Sequence, residues 1–535
     1  MQSSAKWGLL IGSCVLLCLI FLVRLAYLLL QGEGIPTDDS LLNAILIGKL
    51  LNGGYAWSHL FRDVYTNGHF NFFPILAQYL WALLTGWNFR LALFLGAALA
   101  LVKIYLLHSA LARPKDRLLS WLLWPCLFGL TLAVTAMDVF QLDSSSFQLG
   151  LNHLGLIFGI WALARFPGEW RAVLGACLGG WLATWSWGSG AMAWPTFFLG
   201  MALLGFRKPA QYAVLLIVGG FCVMPYLVLL LLAPVSGQEP KLLALFNFPL
   251  VVQSLGLLFA QAYSPEMAWW RGLAGLGLAA VGLAMALGRQ MDLRRLAVPA
   301  MLLFYVALHF YQVSLFRNRL MPWYAYQASL FWIGLLGLAY QLLLEKRGRW
   351  WAGLLALSMG YFYATSNLTW QDKVASLRHQ GPASAACLRH YRSAPQADCE
   401  ELLFRWKPFE NFREMAAALE RHGLALFGRR QELSLQGEMV LGRIDASGLR
   451  WLKDGHEEAY TDFRRLVLEV PPGGKLEWPV ELPEGLHRAE LRYERWTSGG
   501  SWEKFRSDLR PIAGKRTKID LAPGLYRFPS IVVEK

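Results

Sequence analysis

Residues 289–349 read RQMDLRRLAVPAMLLFYVALHFYQVSLFRNRLMPWYAYQASLFWIGLLGLAYQLLLEKRGR. Two apolar runs, 296–314 and 324–344, lie between a cluster of Arg289, Arg294 and Arg295 and a second cluster of Lys346, Arg347 and Arg349. A crossing of a hydrocarbon core about 30 Å thick takes about 20 apolar residues, and each run supplies that. Lys and Arg near span ends are retained on the cytoplasmic side. Both clusters therefore belong inside, and the two runs form an out-and-back pair whose turn, LFRNRLMPWY, falls outside.

The same ruler works along the chain. Three more basic clusters (Arg113, Lys115 and Arg117; Arg165 and Arg171; Arg207 and Lys208) separate further apolar runs. An even number of crossings must join successive inner clusters. The pairs 118–136 with 148–165, 172–188 with 190–206, and 209–233 with 268–287 satisfy this. Residues 8–30 form the first crossing, 90–111 the second, and a last one ends at Asn367. The expectation is a mostly α polytopic bundle of eleven spans occupying 1–367, with the N-terminus inside and everything after Asn367 outside. Two apolar pieces are not counted. Residues 242–262 carry Pro249 and would break parity, so they read as an outer interfacial or re-entrant segment, and 74–87 is short enough to be a surface helix. The first span is too long for a signal peptide and has no convincing cleavage site.

Composition agrees. Of 535 residues 56% are hydrophobic and only 16% charged, against roughly 25% charged in soluble proteins. That excludes a soluble enzyme, a disordered chain and a nucleic-acid-binding module, because the formal charge of +14 is largely spent on the topology clusters. Cys14, Cys18, Cys126, Cys177 and Cys222 lie in apolar runs, where a thiol packs as a small hydrophobe. Cys387 and Cys399 are the two in the outer tail, a disulfide candidate for an oxidising compartment.

Two outer regions are large. The first loop covers 31–89, and the tail divides into a helical linker, 368–429, and a 430–535 region of short alternating runs split by Pro and Gly, such as KLEWPVELPEG and HRAELRYERW. The alternation predicts a small antiparallel β-sandwich.

Polar residues cluster at the outer ends. Asp38 and Asp39 follow the first span directly and suit acid/base chemistry or a divalent cation (Mg or Mn), while a plain N-cap of the helix LLNAILIGKLL is the alternative. Arg62, Asn67 and His69 sit beside aromatic residues and suit a polar ligand; an interfacial hydrogen-bonding role is the alternative for His69. Asp138 and Asp143 come at the outer end of another pair, with Asn152 and His153 dipping into the membrane, and Gly188 and Gly190 break the helix between two spans. Arg317 and Arg319 stand outside against the positive-inside trend; guanidinium groups suit phosphate, with headgroup anchoring as the alternative. No Walker A, dinucleotide glycine fingerprint, Cys/His metal spacing or Gly-x-Ser-x-Gly elbow occurs in the sequence.

A first span, a long outer loop opening on Asp38-Asp39, surface helices at 39–52 and 74–87, a bundle and a soluble outer tail together resemble the GT-C class of integral-membrane glycosyltransferases. The stretches NGHFNFFP (67–74), GSGAMAWP (188–195) and CLRHYRSAPQADCEELL (387–403) are similar to a group of uncharacterised bacterial multi-span proteins. This chain has Gly68, and Gln141 to Ser145, where that group carries an acidic residue and a Trp-Glu-Asn element. The resemblance implies a polyprenyl-phosphate sugar donor, an extracytoplasmic glycan, lipid or protein acceptor, and the bacterial inner membrane, with the tail in the periplasm. It also implies Asp38 or Asp39 as base, with Arg317 and Arg319 on the leaving phosphate. A flippase of lipid-linked saccharide, a non-catalytic scaffold with a glycan- or protein-binding β-domain, and a membrane acyltransferase using Asn152 and His153 are the rival readings. Membrane lipids are partners in every case, and nucleic acid in none.

Overall fold

The computed structural model describes residues 2–31, 38–51, 65–66, 69–112, 117–133, 143–232, 247–260, 264–316, 324–345, 348–367, 388, 391, 412–421, 424 and eight strands between 450 and 534. The chain divides into two compact units. The first holds residues 1–32, 49–84 and 89–375; the second holds 33–48, 85–88 and 376–535.

The first unit is helical. In chain order come α1 (Gln2–Gln31), the body of α3 (Phe72–Thr85), α4 (Phe89–Leu111), α5 (Arg117–Thr131), α6 (Asp143–Arg165), α7 (Trp170–Thr184), α8 (Ala193–Leu204), α9 (Pro209–Leu232), α10 (Phe248–Gly256), α11 (Pro265–Gly288), α12 (Leu293–Phe316), α13 (Tyr324–Leu344) and α14 (Arg349–Asn367). Helix α2 (Asp38–Leu51) begins in the second unit. Among the described residues five stretches are long and apolar enough to cross a membrane: Phe89–Leu111, Phe147–Arg165, Pro265–Gly288, Leu293–Ser314 and Tyr324–Leu344. Large side chains such as Leu216 and Phe221 of α9 and Leu357 of α14 point outward, as a multi-pass membrane protein requires of helices facing lipid.

Small residues decide how closely the helices approach. A Cβ placed on Gly155 of α6 would collide with the backbone carbonyl of Gly179 on α7, and one on Gly179 with the carbonyl of Gly155. The same interlock recurs between α10 and α11, where Gly256 faces the Ala268 carbonyl and Gly272 the Val252 carbonyl. Close backbone approach over glycine is how helices associate where lipid removes the hydrophobic incentive.

The uncounted apolar pieces are short helices. Helix α3 has 14 residues, about 21 Å at 1.5 Å per residue. It docks on the end of α7: the Phe73 amide donates to the Trp185 carbonyl at 3.2 Å, and the Phe73 ring meets Trp181 edge-on at 5.0 Å. Helix α10 has nine residues and continues as a 3-10 turn, Leu257–Phe259. Its Val252, Leu255, Leu257 and Phe259 are buried, and Trp332 of α13 donates its indole N–H to the Leu255 carbonyl at 2.9 Å.

In the second unit, β3 (Arg450–Lys453), β4 (His456–Ala459), β6 (Lys475–Val480) and β9 (Thr517–Leu521) form one four-stranded sheet in the order β4-β3-β6-β9. The other holds β5 (Val467–Val470), β7 (Arg488–Trp496), β8 (Trp502–Leu509) and β10 (Gly524–Glu534) in the order β5-β10-β7-β8. All pairings are antiparallel. The register of β10 on β7 slips between Arg527 and Ser530, around Pro529, which has no N–H for the ladder. Ahead of the sheets, α15 (Phe412–Arg421) buries Met415, Ala416 and Leu419, and Tyr391 donates its hydroxyl to Glu420 Oε2 at 2.7 Å.

Candidate functional site

The interior of the first unit contains a polar centre built by four helices. Lys103 comes from α4, Asn152 and His153 from α6, Tyr305 and His309 from α12, and Tyr326 and Gln327 from the first turn of α13. None of the seven is more than 1% exposed. The runs that carry them are otherwise apolar, so each residue interrupts a buried face.

Two hydrogen-bonded chains start from the adjacent residues 152 and 153. In the first, His153 Nε2 bonds Gln327 Oε1. That amide oxygen can only accept, so Nε2 carries the proton and a neutral ring leaves Nδ1 as an acceptor. Lys103 Nζ lies 3.5 Å from His153 Nδ1 and donates to it. The same nitrogen sits 4.0 Å above the Tyr326 ring, and His153 stacks on that ring at 4.6 Å. In the second chain, Tyr305 donates its hydroxyl to Asn152 Oδ1 at 3.0 Å and Asn152 Nδ2 donates to the Ala183 carbonyl at 3.1 Å. One turn along α12, His309 lies parallel to Tyr305 at 6.1 Å between centroids.

The electrostatics are one-sided. Among the described residues no aspartate or glutamate is buried, so the partners these residues give the Lys103 amine are a ring face and an imidazole nitrogen. Gln327 Nε2 and both ring nitrogens of His309 have no hydrogen-bond partner among the described residues. A buried donor left without a partner costs about 1–3 kcal/mol. A lysine, an amide N–H2 and an imidazole N–H from three helices are donors that suit an anionic group, and no carboxylate is buried with them among the described residues.

The break after α7 borders this centre. Thr184 and Ser186 donate back to the Gly180 and Leu182 carbonyls at 2.7 and 2.6 Å. The chain then turns through a 3-10 helix, Gly188–Met192. Gly190 presses against the Ala183 carbonyl so closely that no Cβ fits, and Gln312 Nε2 of α12 reaches the Gly188 carbonyl at 3.5 Å.

Of the residues singled out in the sequence, Asp38 and Asp39 form the first turn of α2, Asp143 opens α6, and His69 pairs with Thr66 in a two-residue hairpin, β1 (Tyr65–Thr66) with β2 (His69–Phe70). The side chains of these four lie outside the described residues, as do Arg62, Asn67, Asp138, Arg317, Arg319, Cys387 and Cys399 altogether. Among the described residues no cluster of three or more His, Cys, Asp or Glu gathers as a metal site would. Asn152 and His153, read from the sequence as dipping into the membrane, are at the heart of the polar centre. Sequence reasoning missed Lys103, Tyr305, His309 and Gln327. The signal was available: an ionisable residue inside a span usually marks function, and Lys103 and His309 interrupt 90–111 and 296–314.

No protein-family model, curated protein or solved structure matches this chain.

Proposed function

We propose that this protein is a multi-pass membrane glycosyltransferase of the GT-C kind that moves a sugar from a polyprenyl-phosphate donor to an acceptor outside the cytoplasm. The eleven-span bundle, the periplasmic tail and the stacking of its two sheets into a β-sandwich belong to the same reading. The observation that carries it is the polar centre around Lys103, buried inside long apolar helices with no buried carboxylate among the described residues. An anionic lipid head is the natural guest of such a centre. Arg317 and Arg319 stand just ahead of Tyr326 and Gln327 in the chain and add guanidinium groups for the same phosphate.

The acid/base half of the chemistry is assigned to Asp38 and Asp39 at the N-terminus of α2. The acceptor hydroxyl attacks the anomeric carbon, and its proton passes to an aspartate. The bond from that carbon to the phosphate oxygen breaks, and polyprenyl phosphate leaves with the electron pair, its charge stabilised by cationic donors. A divalent cation would be held by Asp38 and Asp39 and would polarise the acceptor hydroxyl.

A well-placed base contributes roughly 10²–10⁴-fold. Asp38→Asn, Asp39→Asn and the double variant are therefore compared in membrane vesicles supplied with a radiolabelled polyprenyl-phosphate sugar. At least one single variant and the double variant lose transfer by about two orders of magnitude or more. Full transfer in all three removes the assignment. Unmodified donor lipid appearing on the far side of the vesicle, with no new glycosidic bond, supports a flippase instead.

A further inference from the structure

A groove of about 630 Å³ runs between α1, α5, α13 and α14 of the first unit. On α5 its wall runs from Leu119 to Leu130, and on α14 from Ala352 to Tyr363, both at the i, i+3, i+4, i+7 spacing of a single helix face. Helix α13 contributes Leu336 to Leu343. Each long row covers about 16 Å at 1.5 Å per residue, about half of a 30 Å hydrocarbon core and so the depth of one leaflet. Small side chains leave the room: Gly129, Ala339, Ala356 and Gly360 all line the space, and a Cβ on Gly360 would meet nothing within 4 Å.

The two ends differ chemically. Arg117 opens α5 two residues before Leu119, and the exposed Arg349 opens α14 three residues before Ala352. Helix α13 runs the opposite way and finishes at this same end, one residue past Leu343. Glu345, which follows, is ion-paired with Arg295, so the excess charge here is positive, and Lys346 and Arg347 add to it in the sequence. One turn further in, the Ser120 and Tyr340 hydroxyls share a hydrogen bond of 3.1 Å, and His108 Nε2 lies 2.9 Å from the Ser120 carbonyl. Beyond that the wall is hydrocarbon out to Leu130 and Tyr363.

A cationic end, a polar collar and an apolar slot one leaflet deep match one class of molecule. We infer that this groove binds an anionic phospholipid of the surrounding bilayer, with one acyl chain along α5 and α14 and its phosphate at the basic end where both helices begin. Arg117 and Arg349 belong to the clusters that set the topology, so the lipid comes from the cytoplasmic leaflet. The inference rests on the multi-pass reading and is independent of sugar transfer.

The test uses the full chain in lipid nanodiscs and phosphatidylglycerol bearing a diazirine midway along one acyl chain. After irradiation, adducts map by mass spectrometry to peptides covering 119–130 and 352–363, roughly tenfold above the same label on phosphatidylcholine. Gly360→Leu combined with Ala356→Phe fills the slot and lowers labelling to that of the outward face of α9 around Ile217 and Phe221. The thermal midpoint holds, because leucine is the better helix former. Arg117→Gln with Arg349→Gln keeps chain labelling and removes the preference for phosphatidylglycerol. The inference is overturned by adducts spread evenly over outward helices, by equal labelling from both lipids in the native protein, by labelling that survives the filled slot, or by protein–protein crosslinks at these peptides. Release of the native protein from membranes by alkaline carbonate is a separate outcome that strikes the multi-pass reading itself.

Discussion

At the level of single residues, the polar centre separates chemistry from stability. Lys103 sits over the Tyr326 ring beside His153, with no buried carboxylate among the described residues. Replacing a buried ionisable group with a well-packed apolar side chain of similar volume is commonly neutral or stabilising. Lys103→Met is thus expected to hold or raise the thermal midpoint in detergent while lowering sugar transfer at least tenfold. A midpoint that falls with activity unchanged makes Lys103 a structural residue. His309, whose ring nitrogens lack partners among the described residues, gives a second readout. His309→Phe removes buried unpaired polar atoms and should stabilise by about 1–2 kcal/mol, measured by reversible unfolding in mixed micelles. Residues of this kind were the hardest to read from sequence. A lysine within an apolar run is visible, but which imidazole, amide or ring it meets depends on helices as far away as Tyr326. Only Asn152 and His153, adjacent and both polar in one run, stood out beforehand.

At the level of elements, periodicity and length carried most of the information. Helices α4, α11, α12 and α13 begin and end within a few residues of the runs 90–111, 268–287, 296–314 and 324–344. Caps and flanking loops decide where each end falls. Packing partners were not legible. Nothing in the sequence says that Gly155 meets the Gly179 carbonyl or that Gly256 meets Ala268, because the match is made by two distant segments. Gly190→Ala puts a methyl group onto the Ala183 carbonyl. It should cost about 1–3 kcal/mol by overpacking and shift the bend that follows α7. Urea or thermal titration of the purified variant checks the loss, and a neutral result means the turn relaxes freely.

For the whole molecule, charge and composition pointed to a helical bundle followed by a strand-rich tail, and the described residues divide into a helical unit and one holding two antiparallel sheets. Leaflet and orientation are set by which side retains the arginines, a property of the membrane and not of the fold, and they are open to direct measurement. Alkaline phosphatase fused after Asn367 should be active and after Lys208 inactive, with a green fluorescent reporter giving the reverse pattern. Equal reporter behaviour at both positions rejects the eleven-span scheme. The glycine-on-carbonyl seams have a consequence for how such a bundle works. Where backbone meets backbone there is no side chain to change rotamer, so α6 with α7, and α10 with α11, can only travel as locked couples. Any opening that admits a substrate has to be found along seams padded by side chains, and cysteine crosslinks placed across the two kinds of seam would distinguish rigid from mobile joints.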